Sequence, residues 1–185
     1  MARIQRAPLR SDSYSRESMR SHSKLRAYVI PYLSIMLGSI LPSLFFASAM
    51  PFIPPMGFLM LLAWRIMRPG FLPMWIGVPL GAFDDLFSGQ PFGSAIFLWS
   101  LAMIIIEFVE ARFPWRGFWQ DWFTANIGAL LYIVLAMFAS GALPNLHQFT
   151  ASAPQLLLSV LLYPIIARMV ALLDKIRLKR FKDIS

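Results

Sequence analysis

Two adjacent carboxylates, Asp84 and Asp85, are the residues of this sequence best suited to chemistry, because paired carboxylates can hold a divalent cation. A prenyl-transfer metal site needs a third carboxylate one helical turn further along, and residues 86–88 contain none. His22 and His147 have no partner at metal-ligand spacing. No serine or threonine lies in a nucleophile-elbow context, and cysteine is absent. The sequence therefore predicts a protein that is not an enzyme and has no metal or cofactor.

The surrounding segment carries a small residue or a carboxylate at every fourth position: Gly81, Asp85, Gly89 and Gly93. If one helix continued through the segment, these residues would share a narrow face. Small residues at this spacing let another helix approach closely inside a membrane. The spacing predicts a helix-packing or partner-contact surface. Asp85 can serve that surface or lie in headgroup water, whereas Asp84 is interpreted as an interfacial residue.

The composition of the whole chain predicts a membrane protein. Hydrophobic residues make up 58% of its 185 residues, charged residues 14%, and the mean hydropathy is +0.62. Soluble domains contain about 45–50% apolar and about 25% charged residues. Residues 1–26 are polar and basic and predict a disordered cytoplasmic tail. Residues 27–175 predict a single transmembrane domain, and residues 176–185 a basic cytoplasmic C-terminus.

The apolar segments predict an all-α fold of six transmembrane helices in one bundle. A helix needs about 20 residues to cross ~30 Å of hydrocarbon, so the second segment is short and is expected to lie inside the bundle. The segment Ala47–Ala49 resembles a signal-peptidase site, but the preceding polar lead is long and Pro31 and Pro42 interrupt the apolar run. The predicted spans are 27–49, 53–67, 71–88, 93–111, 122–141 and 154–174.

The basic residues give the orientation. With six spans, all 17 Lys and Arg residues lie on one side of the membrane. The joints at 50–55, 84–92 and 141–153 contain none. Under the positive-inside rule both termini are cytoplasmic, which predicts a multi-pass membrane protein. The net charge of +8 also favours contact with anionic lipid, and topology accounts for it better than nucleic-acid binding does.

The joint between the fourth and fifth spans is rich in aromatic residues and arginine. Trp115, Arg116 and Trp119 lie in it, within the segment Glu107–Asp121. One interpretation is an aromatic belt at the cytoplasmic interface. The other is a docking surface, since aromatic residues and arginine dominate binding hot spots. The sequence leaves both open.

Three segments together resemble the MreD family of bacterial rod shape-determining membrane proteins. The first runs from Gly81 to Gly93 and contains a glycine, an aspartate four residues later, leucine, Ser-Gly and a final glycine. The resemblance covers about residues 28–175, and Phe92 replaces the aliphatic residue usual in the family. The other matching positions are Pro55, Trp64 and Pro69 upstream, and Trp119, Gln120 and Tyr132 downstream.

This resemblance implies a non-catalytic role in the cell-elongation machinery. The implied partners are an MreC-like bitopic protein, a RodA-type glycosyltransferase, a class B penicillin-binding protein and the actin-like filament protein. The implied fold is similar to the six-helix substrate-binding subunits of energy-coupling-factor transporters. That similarity supplies the alternative function, a membrane subunit that binds a vitamin or another small molecule for transport.

Overall fold

The computed structural model describes residues 28–44, 53–112, 117–139 and 146–178. All regular structure in these ranges is helical, which confirms the predicted all-α class. The predicted tail at 1–26, the segment Ala47–Ala49 and most of the C-terminus lie outside the described residues. The elements are α1 (Tyr28–Leu44), α2 (Met56–Met67), a 3-10 turn (Met74–Ile76), α3 (Gly77–Asp85), α4 (Ser94–Arg112), α5 (Phe118–Ala139) and α6 (Leu146–Leu178).

Three helices are long and apolar enough to cross a membrane: α4 with 19 residues, α5 with 22 and α6 with 33. At 1.5 Å per residue, α6 is about 50 Å long and extends well beyond ~30 Å of hydrocarbon. Helices α1 and α2 are apolar but shorter. The fourth predicted span agrees with α4 to within one residue, whereas α5 and α6 begin earlier than predicted.

The third predicted span, residues 71–88, is not a single helix. Pro73 has extended backbone angles, and the regular α-helix begins only at Gly77 and ends at Asp85. Nine residues of helix measure about 14 Å, less than half the hydrocarbon thickness. The apolar composition of this segment predicted a membrane-spanning helix, but the prolines on its N-terminal side shorten the helix.

Helix α2 lies at the centre of the molecule. Its residues from Gly57 to Ile66 are all buried, and it packs against α5 and α6. The Phe58 ring stacks on Tyr132 of α5, with 4.4 Å between the ring centroids. The Trp64 indole N–H donates a 2.9 Å hydrogen bond to Ser34 Oγ of α1. The prediction that the second apolar segment lies inside the bundle is confirmed.

The C-terminal ends of α2, α4 and α6 meet at one end of the bundle, which we call the basic end. Arg65 near the end of α2 pairs with Glu107 of α4, and Arg68 just after α2 pairs with Asp174 of α6. The start of α1 lies at the same end, because Tyr28 stacks on Phe71 with 5.8 Å between ring centroids. The basic residues in the described ranges belong to these three C-terminal regions: Arg65, Arg68, Arg112, Arg168, Lys175 and Arg177.

Candidate functional site

The end of the bundle opposite the basic end holds a helical hairpin made of α3 and α4, and Asp85 joins its two arms. The Asp85 carboxylate accepts 2.8 Å hydrogen bonds from the backbone N–H groups of Gly93 and Ala95. Longer bonds of 3.3 Å come from the Ile96 N–H and the Ser94 hydroxyl. These N–H groups open α4 and have no partner within that helix. Asp85 therefore caps α4, and its negative charge complements the positive end of the α4 dipole.

The continuous helix face expected for Gly81, Asp85, Gly89 and Gly93 does not exist. Helix α3 ends at Asp85, and the chain turns back through Gly89 and Gly93, whose φ angles are +68° and +99°. Side chains other than glycine rarely adopt these angles. The four residues therefore have different roles: Gly81 packs against α4, Asp85 caps α4, and Gly89 and Gly93 are turn positions. The turn, and not helix periodicity, determines how they are arranged.

Close backbone contact between α3 and α4 depends on two glycines four residues apart. A Cβ on Gly81 would lie 2.7 Å from the Ala95 carbonyl oxygen, and a Cβ on Gly77 would lie 2.9 Å from the Ser100 Cα. No ordinary side chain fits at these distances, so the helices touch backbone to backbone, as small residues permit inside membranes. The sequence analysis did not identify Gly77. It precedes Gly81 by four residues, which is the spacing that relates Gly81, Asp85, Gly89 and Gly93.

Asp84 and Asp85 are both buried inside the protein, with exposed fractions of 8% and 6%. The interpretation of Asp84 as a residue in headgroup water is therefore wrong. Both carboxylates lie close enough to Tyr132 of α5 to interact with it electrostatically. Because α3 packs against α4, the two carboxylates at its C-terminal end lie between helices and not in water.

A second polar cluster lies at the basic end, around Arg65. The Arg65 side chain is only 1% exposed and pairs with two carboxylates of α4, Glu107 and, at 3.0 Å, Glu110. Charges buried in protein are stable mainly when paired. The sequence reading assigned Glu107 and Glu110 to an interfacial joint, but they lie within α4 and connect it to α2.

A third cluster connects α2 to α6. Asp174 Oδ2 accepts hydrogen bonds from Arg68 Nε at 2.9 Å and Arg68 Nη2 at 2.6 Å. Arg177 approaches the other carboxylate oxygen at 3.1 Å, and its guanidinium lies 4.1 Å from the Phe71 ring centroid. Together with the pairs around Arg65, this cluster fixes the C-terminal end of α2 between α4 and α6.

The predicted docking residues are only partly within the described ranges. Trp119 lies in the first turn of α5 and is 67% exposed. Its ring meets the Phe118 and Trp122 rings edge to face, with centroids 5.8 and 6.1 Å apart. Trp115 and Arg116 lie outside the described residues. An exposed aromatic row at a helix end is compatible with both the belt and the docking interpretation, so docking stays a prediction.

The residues that the structure describes contain no group of three His, Cys, Asp or Glu side chains arranged to hold a metal ion. Several charged side chains instead connect helices, through the Asp85 cap at one end and the Arg65 and Arg68 ion pairs at the other. Together with three long apolar helices, this arrangement defines an α-helical membrane protein.

The family model for rod shape-determining protein MreD matches residues 21–176, which include all of the helical bundle except its last two residues. The chain belongs to the MreD family. Searches of curated proteins and of solved structures found no match to the chain. The expected similarity to energy-coupling-factor transporter subunits therefore stays a prediction.

Proposed function

We propose that this protein is a non-catalytic inner-membrane component of the bacterial cell-elongation machinery. In this role it holds an MreC-like bitopic protein, a RodA-type glycosyltransferase and a class B penicillin-binding protein to the cytoplasmic actin-like filament. The observation that carries the proposal is the family match over residues 21–176, which covers the capped hairpin and both ion-pair clusters except Arg177. A bundle whose helices are joined by a charged helix cap and by ion pairs suits a scaffold.

The proposal includes a topology of six membrane crossings with both termini in the cytoplasm. Support comes from the described basic residues, which all belong to the C-terminal regions of α2, α4 and α6. The ion pairs bring those regions together at one end of the bundle. Basic residues favour the cytoplasmic side, so the basic end faces the cytoplasm and the α3–α4 turn faces outward.

The proposed partner-binding element is the tip of the α3–α4 hairpin. Gly81 is covered by α4, so it contributes by shaping the hairpin and leaves the partner contact to other residues. Asp85, Gly89 and Gly93 set the turn that follows. Leu86 and Phe92 in that turn have exposed fractions of 67% and 71%. In the proposed topology they lie on the outer side of the membrane, where the span of a bitopic partner could contact them. Exposed apolar side chains on a fixed turn suit a helix contact.

Depletion of the protein in its own host tests this function. Loss of an elongation scaffold should convert rod-shaped cells into rounded ones while vitamin uptake stays normal. Expression of the wild-type chain should restore cell width. Normal cell shape together with a vitamin requirement would contradict the proposal and favour the transporter alternative.

A further inference from the structure

A long apolar groove runs along the side of the bundle between α4 and α5. Residues of α4 between 98 and 109 and of α5 between 124 and 135 line it, with α2 at its base, and its volume is about 150 Å³. The base residues Phe58 and Leu62 are almost fully buried, whereas Ile127 at the rim is 56% exposed. Both α4 and α5 are long and apolar enough to cross a membrane. The groove therefore opens toward the hydrocarbon of the bilayer and not toward water.

The length and the lining of the groove suit a single hydrocarbon chain. At 1.5 Å per residue, each lining stretch extends about 16 Å along its helix, close to half of a ~30 Å hydrocarbon core. Apart from Thr124 and Tyr132, the lining residues are apolar. A helix with its side chains is about 10–12 Å wide and cannot enter a groove of this volume. An extended acyl chain of one leaflet can lie along the whole length of the groove.

A cationic side chain lies just beyond the end of the groove that belongs to the basic end of the bundle. Val109 is the last lining residue of α4, and Arg112 follows three positions later, on the same side of the helix. Side chains of a helix tilt toward its N-terminus, so Arg112 is directed back toward Val109. Arg112 is exposed and takes no part in the ion pairs that hold α2. A lipid phosphate stays outside the hydrocarbon, which is the position of Arg112 relative to the groove.

We propose that the groove binds one acyl chain of a phospholipid from the leaflet at the basic end, and that Arg112 binds the phosphate of that lipid. The charge of Arg112 complements the phosphate, which favours a lipid over an apolar partner helix as the occupant. The second acyl chain remains in the bilayer beside the rim. This inference rests on the geometry of α4 and α5 and is independent of the role in cell elongation.

Native mass spectrometry of the purified full-length chain, titrated with dioleoyl-phosphatidylglycerol, tests the proposal. The groove-filling variant is Ala102→Phe, because Ala102 lines the groove. An apolar cavity of about 150 Å³ accepts benzene, so the added ring fits and the variant should fold. It should bind the lipid at least about tenfold more weakly, because the acyl chain loses its buried methylenes. Ala153→Phe makes the same change at an exposed position of α6 and should bind like the wild-type chain. Equal affinity of Ala102→Phe and the wild-type chain would overturn the proposal, including the case in which a partner's helix covers the groove.

A second substitution tests the phosphate contact. Arg112→Gln should weaken lipid binding about fivefold, whereas Arg168→Gln, at an exposed arginine of α6, should leave it unchanged. In lipid-free detergent Arg112→Gln should keep the stability of the wild-type chain, so its loss of affinity reports the phosphate contact. Wild-type affinity in Arg112→Gln would overturn that contact.

Crosslinking of the wild-type chain decides the matter if Ala102→Phe does not fold. A phosphatidylglycerol with a diazirine midway along one acyl chain should label mainly residues 98–109 and 124–135. The exposed Leu33 and Leu37 of α1 serve as the reference for lipid that contacts the bundle without a groove. Equal labelling of α1 and of the two groove stretches would overturn the proposal.

Discussion

The Asp85 carboxylate is the most fully bonded side chain in the hairpin, with both of its oxygens accepting backbone N–H groups at the start of α4. Hydrogen bonds to a charged group contribute about 1.5–3 kcal/mol each in favourable cases. A side-chain cap on a helix contributes about 0.5–2 kcal/mol. The charge of Asp85 therefore has a structural role that does not require a ligand.

We predict that Asp85→Asn lowers the free energy of unfolding by about 1–3 kcal/mol, because an amide presents an N–H₂ group to the N–H groups that the carboxylate binds. The measurement is equilibrium unfolding in mixed micelles. Asp84→Asn is the matched control, since it alters the neighbouring carboxylate without changing the cap. If the two variants lose the same free energy of unfolding, the proposed stabilisation by the Asp85 cap is contradicted.

Gly81→Leu should be more damaging than the same change at an open glycine. Its Cβ alone would lie 2.7–2.8 Å from the α4 backbone, so α3 and α4 must separate. Overpacking of this kind costs about 1–3 kcal/mol. Gly117→Leu is the control, because a Cβ there would lie 3.9 Å from its nearest neighbour. Similar unfolding free energies for the two variants would contradict the backbone contact.

Sequence reasoning singled out Gly81 and Asp85 but predicted one continuous helix face for them, which the turn after Asp85 interrupts. Four-residue spacing predicts a shared face only while the helix continues, and the glycines themselves end it. The partner of Asp85 is a set of backbone N–H groups, which no side-chain pattern identifies. Asp84 was misjudged because its burial depends on the return of the hairpin against α5, a tertiary contact.

Helix α2 is too short to cross a bilayer alone and depends on its neighbours for burial. Its core residues pack against α5 and α6, while its polar end is held by Glu107 and Glu110 on one side and Asp174 on the other. The short apolar length of α2 predicted its central position. Its ion pairs could not be predicted, because Glu107 and Asp174 are 42 and 106 residues from their arginine partners.

We predict that Arg65→Met destabilises the bundle by about 1–3 kcal/mol, since it removes the counter-charge of the half-exposed Glu107 and of the mostly buried Glu110. Adding Glu107→Gln and Glu110→Gln should recover part of the loss, and the cycle of variants measures the coupling. Arg112→Met is the control at an exposed arginine and should change stability by less than about 0.5 kcal/mol. No recovery in the triple variant would contradict the pairing.

At the scale of the molecule, composition and the distribution of arginine and lysine predicted an α-helical membrane protein with one basic end. The number of crossings is harder to predict, because prolines before α3 and glycines after it divide apolar sequence into helices too short to span alone. Hydropathy does not distinguish burial in lipid from burial in protein, and α2 is an apolar helix that is buried by protein.

The six-crossing topology is tested by cysteine labelling of this cysteine-free chain. Cysteines at Gln90 and His147 should react with an impermeant maleimide in intact cells, because the positive-inside rule places both outside. Cysteines at Gly70 and Gly117 should react only after lysis. Their labelling in lysed cells is the control that shows that these cysteines can react once the reagent reaches them. Labelling at Gly70 in intact cells would refute the topology.

Copurification of an MreC-like bitopic protein tests the proposed scaffold most directly. The tagged full-length chain should be purified from membranes at its native level, with an unrelated polytopic membrane protein at matched expression as the control. The wild-type chain and Asp84→Asn should retain the partner, whereas Gly81→Leu and Asp85→Asn should retain less because the hairpin is disturbed. If the wild-type sample contains no more MreC-like protein than the control sample does, the scaffold function is contradicted.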